Sequence, residues 1–113
     1  MDNQKFNLFL DRLLKKTEQG KLEWEKTADR DTLLLVLKDS AVSIVHDIEY
    51  VSREKNYRGY HFDFRNESGD IVESVTVSNK EEYEKAEKIY NLAQKQSPKI
   101  NKTLDSILEQ LAA

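Results

Sequence analysis

The chain contains no cysteine, which removes disulfide frameworks, thiolate metal sites and cysteine nucleophiles from consideration. Its three glycines are scattered at Gly20, Gly59 and Gly69, so no glycine-rich loop wraps a phosphate, and neither Walker-type nor dinucleotide-binding spacing is present. Long apolar runs are missing as well. The longest, Leu33 to Leu37, falls far short of the roughly 20 residues a membrane-crossing helix requires. Positive charge is not in excess: Lys and Arg total 18 against 21 Asp and Glu, a formal net charge of −3, which provides no global field for binding phosphate. The opening Met1-Asp2-Asn3-Gln4 has no basic stretch leading into an apolar core, so the expected location is the cytoplasm.

What is present suits one folded domain spanning all 113 residues. Charged residues make up 35% of the chain, above the usual ~25%, so the surface is densely and almost evenly charged. Phe6, Phe9, Leu10, Leu13 and Leu14 fall at helical spacing and predict a helix over 3–17, capped by Asp2 or Asn3 and ending near Gly20. From Lys21 the period becomes two. Strands are expected around Leu22 to Glu25, then over 32–38, 41–51, 57–65 and 71–78. The separators are Lys38-Asp39-Ser40, Ser52 to Asn56 and Asn66 to Gly69. Their shortness demands antiparallel hairpins, because parallel strands need long crossovers.

Helical spacing returns after Ser78-Asn79-Lys80-Glu81, read as a capping box. Tyr83, Ala86, Ile89, Tyr90 and Ala93 supply the buried stripe. Ser97-Pro98 stops this helix and opens another bearing Ile100, Leu104, Ile107, Leu108 and Leu111 on one face. The expected fold is α+β: an N-terminal helix, a five-stranded antiparallel meander and two C-terminal helices packed on the sheet.

Alternation sorts the strand residues onto two faces. The core face collects Leu22, Trp24, Leu33, Leu35, Leu37, Val42, Ile44, Ile48, Tyr50, Tyr60, Phe62, Phe64, Ile71, Val75 and Val77. Expected cross-strand pairs are Trp24 with Leu35, Leu35 with Ile44, Ile48 with Tyr60, and Phe64 with Ile71. The opposite face then carries Glu23, Glu25, Leu34, Val36, Val45, Asp47, Glu49, His61, Asp63 and Arg65, with Val72 farther along. Three aliphatic residues beside an acidic cluster are unusual on a bare sheet face. Leu34, Val36, Val45, Asp47, Glu49, His61 and Asp63 are therefore the candidate protein-contact residues.

The same register sets His61 opposite Asp47, with Asp63 two residues along. A carboxylate beside an imidazole can orient a general base, and one His with several carboxylates can hold a divalent metal. An open sheet face, however, excludes no water and offers no nucleophile or oxyanion donor, so an exposed cross-strand ion pair is the preferred reading. His46, expected opposite Phe62, reads as a core histidine. Tyr60, Phe62 and Phe64 are spaced like the base-stacking aromatics of nucleic-acid-binding strands, but they share the core face, while Asp47, Glu49 and Asp63 opposite repel phosphate.

The strings Phe9-Leu10-Asp11-Arg12-Leu13-Leu14-Lys15-Lys16-Thr17 and Gly20-Lys21-Leu22-Glu23-Trp24-Glu25-Lys26-Thr27 resemble the opening of small uncharacterised proteins from bacteria and their phages or mobile elements. Those proteins also end in a Tyr-containing helix followed by a short Leu-rich one. The resemblance implies a bacterial or phage origin and carries no catalytic or binding residues. The expected function is non-enzymatic: binding of a protein partner, or self-association as a homodimer, as an inhibitor, immunity-like or regulatory accessory protein, with no cofactor and no metal. The alternatives are a nucleic-acid-binding domain and a small hydrolase or metal-dependent enzyme centred on His61.

Overall fold

The computed structural model describes residues 1–51, 54–96 and 107–112, with side chains throughout these except at 48–58. Helix α1 (Asn3–Glu18) leads into strands β1 (Trp24–Lys26), β2 (Thr32–Val36), β3 (Ala41–Val51), β4 (Glu54–Arg65) and β5 (Ile71–Thr76), and helix α2 (Lys80–Gln96) follows. The strands form one antiparallel sheet in the order β1-β2-β3-β4-β5. A further helical segment at 107–111 completes the expected α+β order.

Both long helices lie on one face of the sheet. In α1, Phe6, Leu10 and Leu13 are buried. Phe6 meets Phe62 edge-on at 5.7 Å between ring centres, and Phe9 meets Phe64 at 5.0 Å. In α2 the stripe of Ala86, Ile89, Tyr90 and Ala93 is buried, and Tyr83 and Tyr90 each lie 5.4 Å from the ring of Tyr60. The Lys85 ammonium reaches Asp11 of α1 at 2.8 Å. Gln96 Nε2 donates to the Thr17 carbonyl at 2.8 Å, so the two helices are tied at a second point.

Helix ends follow local chemistry, with one shift. Asp2 caps α1 by accepting from Lys5 N–H at 2.8 Å. Gly20, at φ 66°, takes the left-handed exit while Lys21 N–H returns to the Lys16 carbonyl at 3.1 Å. The cap of α2 is Asn79, not Ser78. Asn79 Oδ1 accepts from Glu82 N–H at 2.9 Å, and the Glu82 carboxylate reaches back to Asn79 Nδ2 at 3.0 Å. Ser78 and Asn79 each have a glutamate three residues on, so spacing alone permits either box. The one that forms buries Glu82 and keeps Ala86, Ile89 and Tyr90 in phase with the sheet. Asn79→Ala is expected to cost about 1 kcal/mol, read as a drop in the urea midpoint at unchanged slope, whereas Ser78→Ala should leave the midpoint within about 0.5 kcal/mol of wild type.

The strand faces emerge as expected apart from Leu37 and Ile71, with the side chains of Ile48 and Tyr50 lying outside the described residues, but most of the individual pairs do not. Trp24 does pair with Leu35. Leu35, however, faces Val42, and Ile44 faces Leu33, because Leu37 N–H bonds to the Ser40 carbonyl at 2.8 Å and closes a tighter turn around Lys38-Asp39. Tyr60 faces His46, not Ile48, and Phe62 faces Ile44, not His46. On the far side of β4, Phe64 pairs with Glu73, and a register shift then sets Ile71 across from Arg65, leaving Ile71 exposed rather than in the core. Leu37, also expected inside, is exposed because it lies past the end of β2. The strand expected to begin at Tyr57 extends back to Glu54, so most of the expected Ser52 to Asn56 loop is strand; residues 52 and 53 lie outside the described residues.

In the 107–111 segment, Ile107, Leu108 and Leu111 are exposed, so this part of the stripe is not in the core. Ile100 and Leu104 lie outside the described residues. Among the described residues no helix is long and apolar enough to cross a membrane.

Candidate functional site

With α1 and α2 on one face, the other face of the sheet is read through its register. One row crosses all five strands: Glu25, Leu34, Ser43, Asp63 and Ser74. The next row runs Thr32, Val45, His61 and Thr76, and a third runs Val36, Ala41, Arg65 and Ile71. Leu34 and Val36 are therefore consecutive side chains on this face of β2, and Val45 lies diagonal to Leu34 on β3. These three form one apolar strip, with Val36 58% exposed and Leu34 and Val45 half-buried.

Beside the strip lies a polar chain. His61 Nδ1 donates to the Asp47 carboxylate at 2.9 Å, His61 Nε2 lies 3.4 Å from Asp63 Oδ2, and Ser74 Oγ donates to Asp63 Oδ1 at 2.6 Å. His61 is not directly opposite Asp47, as expected from the sequence, but opposite Val45, and Asp47 pairs with Gly59. The contact forms diagonally. A register shift follows Asp47, and Gly59 at φ 123° adopts a backbone conformation that L-residues with a side chain rarely reach. Glu49 pairs through its backbone with Asn56; its side chain lies outside the described residues.

Asp47, His61, Asp63 and Ser74 form one chain of polar contacts across β3, β4 and β5. Ser74 Oγ donates to the Asp63 carboxylate and not to the imidazole, so no serine–histidine pair forms. Both His61 nitrogens face carboxylates. Among the described residues no group of three His, Cys, Asp or Glu is arranged to hold a metal ion. The rings of Tyr60 and Phe62 are buried against the helices and present no stacking platform for bases.

Ser43 and Ser74, both in the Asp63 row, were not singled out from sequence. The register carries that information: the two-residue turn at Lys38-Asp39 sets Ser43 opposite Leu34, and the separate β3–β4 and β4–β5 registers set Asp63 opposite Ser43 and Ser74.

His46 stands apart on the inner face. Its ring stacks on Tyr60 at 4.4 Å and meets Tyr90 edge-on at 5.2 Å. Burial pushes its pKa down, opposed by the nearby charges of Asp31, Asp47 and Glu87. A histidine that is harder to protonate when folded binds fewer protons than in the unfolded chain. The stability it confers is therefore fully present above the ordinary histidine value of ~6.5 and is lost as pH falls below it. His46→Phe, which keeps the stack, should lose less of its urea midpoint between about pH 7 and pH 5 than wild type does. Parallel losses in the two proteins would show that His46 contributes nothing to the acid sensitivity.

No family model matches this sequence, and neither a curated protein nor a solved structure matches it.

Proposed function

We propose that this chain is a non-enzymatic, cytoplasmic protein-binding domain of bacterial or phage origin that acts as an inhibitor, immunity-like or regulatory accessory protein through the outer face of its sheet. The observation that carries the reading is the pairing of an exposed apolar strip with a polar border on the face opposite α1 and α2. Leu34, Val36 and Val45 are adjacent there, and Asp47, His61 and Asp63 border them. Interfaces that form and dissociate are built this way, with an apolar centre that holds and a charged rim that steers and selects. The acidic rim favours a partner whose matching surface is cationic.

Site-directed photo-crosslinking tests the surface. A photoreactive residue at position 36 should give a discrete adduct with a second protein in cells. The same residue at position 84, on the exposed side of α2, should not. Equal labelling from both positions, or adducts from 84 alone, would remove the sheet face as the contact.

A further inference from the structure

Beyond the body of the sheet, β3 and β4 continue as a pair. On one side, β2 and the residue before it reach β3 only as far as His46, whose N–H bonds to the Asp31 carbonyl. On the other, β5 pairs no farther along β4 than His61, with one more bond from Val77 N–H to the Tyr60 carbonyl. Among the described residues, 48–51 and 54–57 therefore pair only with each other, from Ile48 with Tyr57 to Val51 with Glu54. A two-stranded ribbon is marginal by itself in water and gains stability when further strands join it. This one contains Ile48, Tyr50, Val51 and Tyr57, all strand-favouring types, and no proline to block pairing along its edges.

Alternation fixes which backbone groups face outward. Leu37 N–H bonds to the Ser40 carbonyl, so Val42 and Ile44 turn their backbone groups towards β2, while Ser43, Val45, Asp47, Glu49 and Val51 turn theirs towards β4. Asn56 and Glu54, opposite Glu49 and Val51, face inward in return. The N–H and C=O groups of Lys55 and Tyr57 are left on the free edge of β4, and the register shift after Asp47 leaves Arg58 with no residue opposite it on β3.

That edge is complementary to itself. Laid antiparallel on a second copy about Asn56, the run Glu54-Lys55-Asn56-Tyr57-Arg58 sets Glu54 opposite Arg58 and Lys55 opposite Tyr57, each twice, and the outward groups of Lys55 and Tyr57 meet as hydrogen-bonded pairs. A two-fold axis at Lys55 would instead oppose like charges, as would one at Glu49 on the edge of β3. Five paired residues also fit the length of β4 left free before Tyr60. We propose that two copies of this chain pair antiparallel along the 54–58 edge of β4, Glu54 of each opposite Arg58 of the other, so that the two ribbons form one four-stranded layer about a two-fold axis. The contact is small, so the association is weak and concentration-dependent. It is separate from the outer sheet face and does not depend on its function.

Sedimentation velocity on the full chain, from about 10 µM to about 1 mM, tests this. The average mass should rise from one chain towards two in wild type. Glu54→Arg and Arg58→Glu each oppose like charges twice per dimer and should weaken it about tenfold, and the double variant should restore it. Positions 54 and 58 are about 13 Å apart along one strand, so restoration arises only between copies. Because the chain has no cysteine, a single introduced one locates the axis. Asn56→Cys meets its own copy at a Cα separation of about 4.5 Å, within reach of a disulfide, and should give a covalent dimer on oxidation, whereas Glu49→Cys should not. A wild type that stays monomeric throughout overturns the proposal. So do single charge variants that associate like wild type, and so does a covalent dimer formed equally from positions 49 and 56.

Discussion

Trp24→Ala is expected to lower the free energy of unfolding by about 3–5 kcal/mol, a large share of the 5–15 kcal/mol that a domain of this size holds in total. Trp24 is completely buried and sits in a strand of only three residues, so few other contacts hold that edge of the sheet in place. Its indole Nε1–H donates to Thr17 Oγ1 at 3.3 Å, and that hydroxyl in turn donates to the Leu13 carbonyl at 2.7 Å. The ring therefore joins the edge strand to the last turn of α1, and truncation opens a cavity and removes a hydrogen bond together. Urea unfolding followed by circular dichroism gives the size of the loss. Native tryptophan emission should be blue-shifted and shielded from iodide; red-shifted, freely quenched emission would contradict the burial.

Much of this architecture is legible in the sequence because period sorts residues reliably. The alternation over 41–51 marks β3 from end to end, and the spacing of Phe6, Leu10 and Leu13 names the buried side of α1. Register is a different matter. A slip of two residues preserves the face of every side chain, so alternation cannot distinguish Leu35 facing Ile44 from Leu33 facing Ile44; the length of the turn at Lys38-Asp39 decides it. Irregularities after Asp47 and after Phe64 are invisible to a period of two. The second of them takes Ile71 out of the core. Leu34, Val36, Val45, Asp47, His61 and Asp63 were legible as residues of one face, and the contact between His61 and Asp47 forms despite the shifted register because the two side chains meet on the diagonal. The order of its members, and the inclusion of Ser43 and Ser74, required the pairings themselves.

The second large effect falls on binding and not on stability. Val36 lies at the last position of β2 with 58% of its surface exposed, so a carboxylate there remains hydrated in the free protein. In a complex it is forced into the apolar centre of the contact, where an unpaired charge costs several kcal/mol. Val36→Asp is accordingly expected to fold like wild type and to lose its partner by a factor of about 100 or more. Asp63→Asn, at the rim, should change affinity only a few-fold, with the difference shrinking as salt is added. The most direct test of the sheet-face assignment is the set of proteins retained from cell extract by immobilised wild type and by Val36→Asp of equal melting temperature. The account predicts a discrete species held by wild type and by Asp63→Asn and absent from Val36→Asp. Retention of the same species by a fully folded Val36→Asp would contradict it, and unfolding caused by this substitution would show that the face is covered and not a contact surface at all.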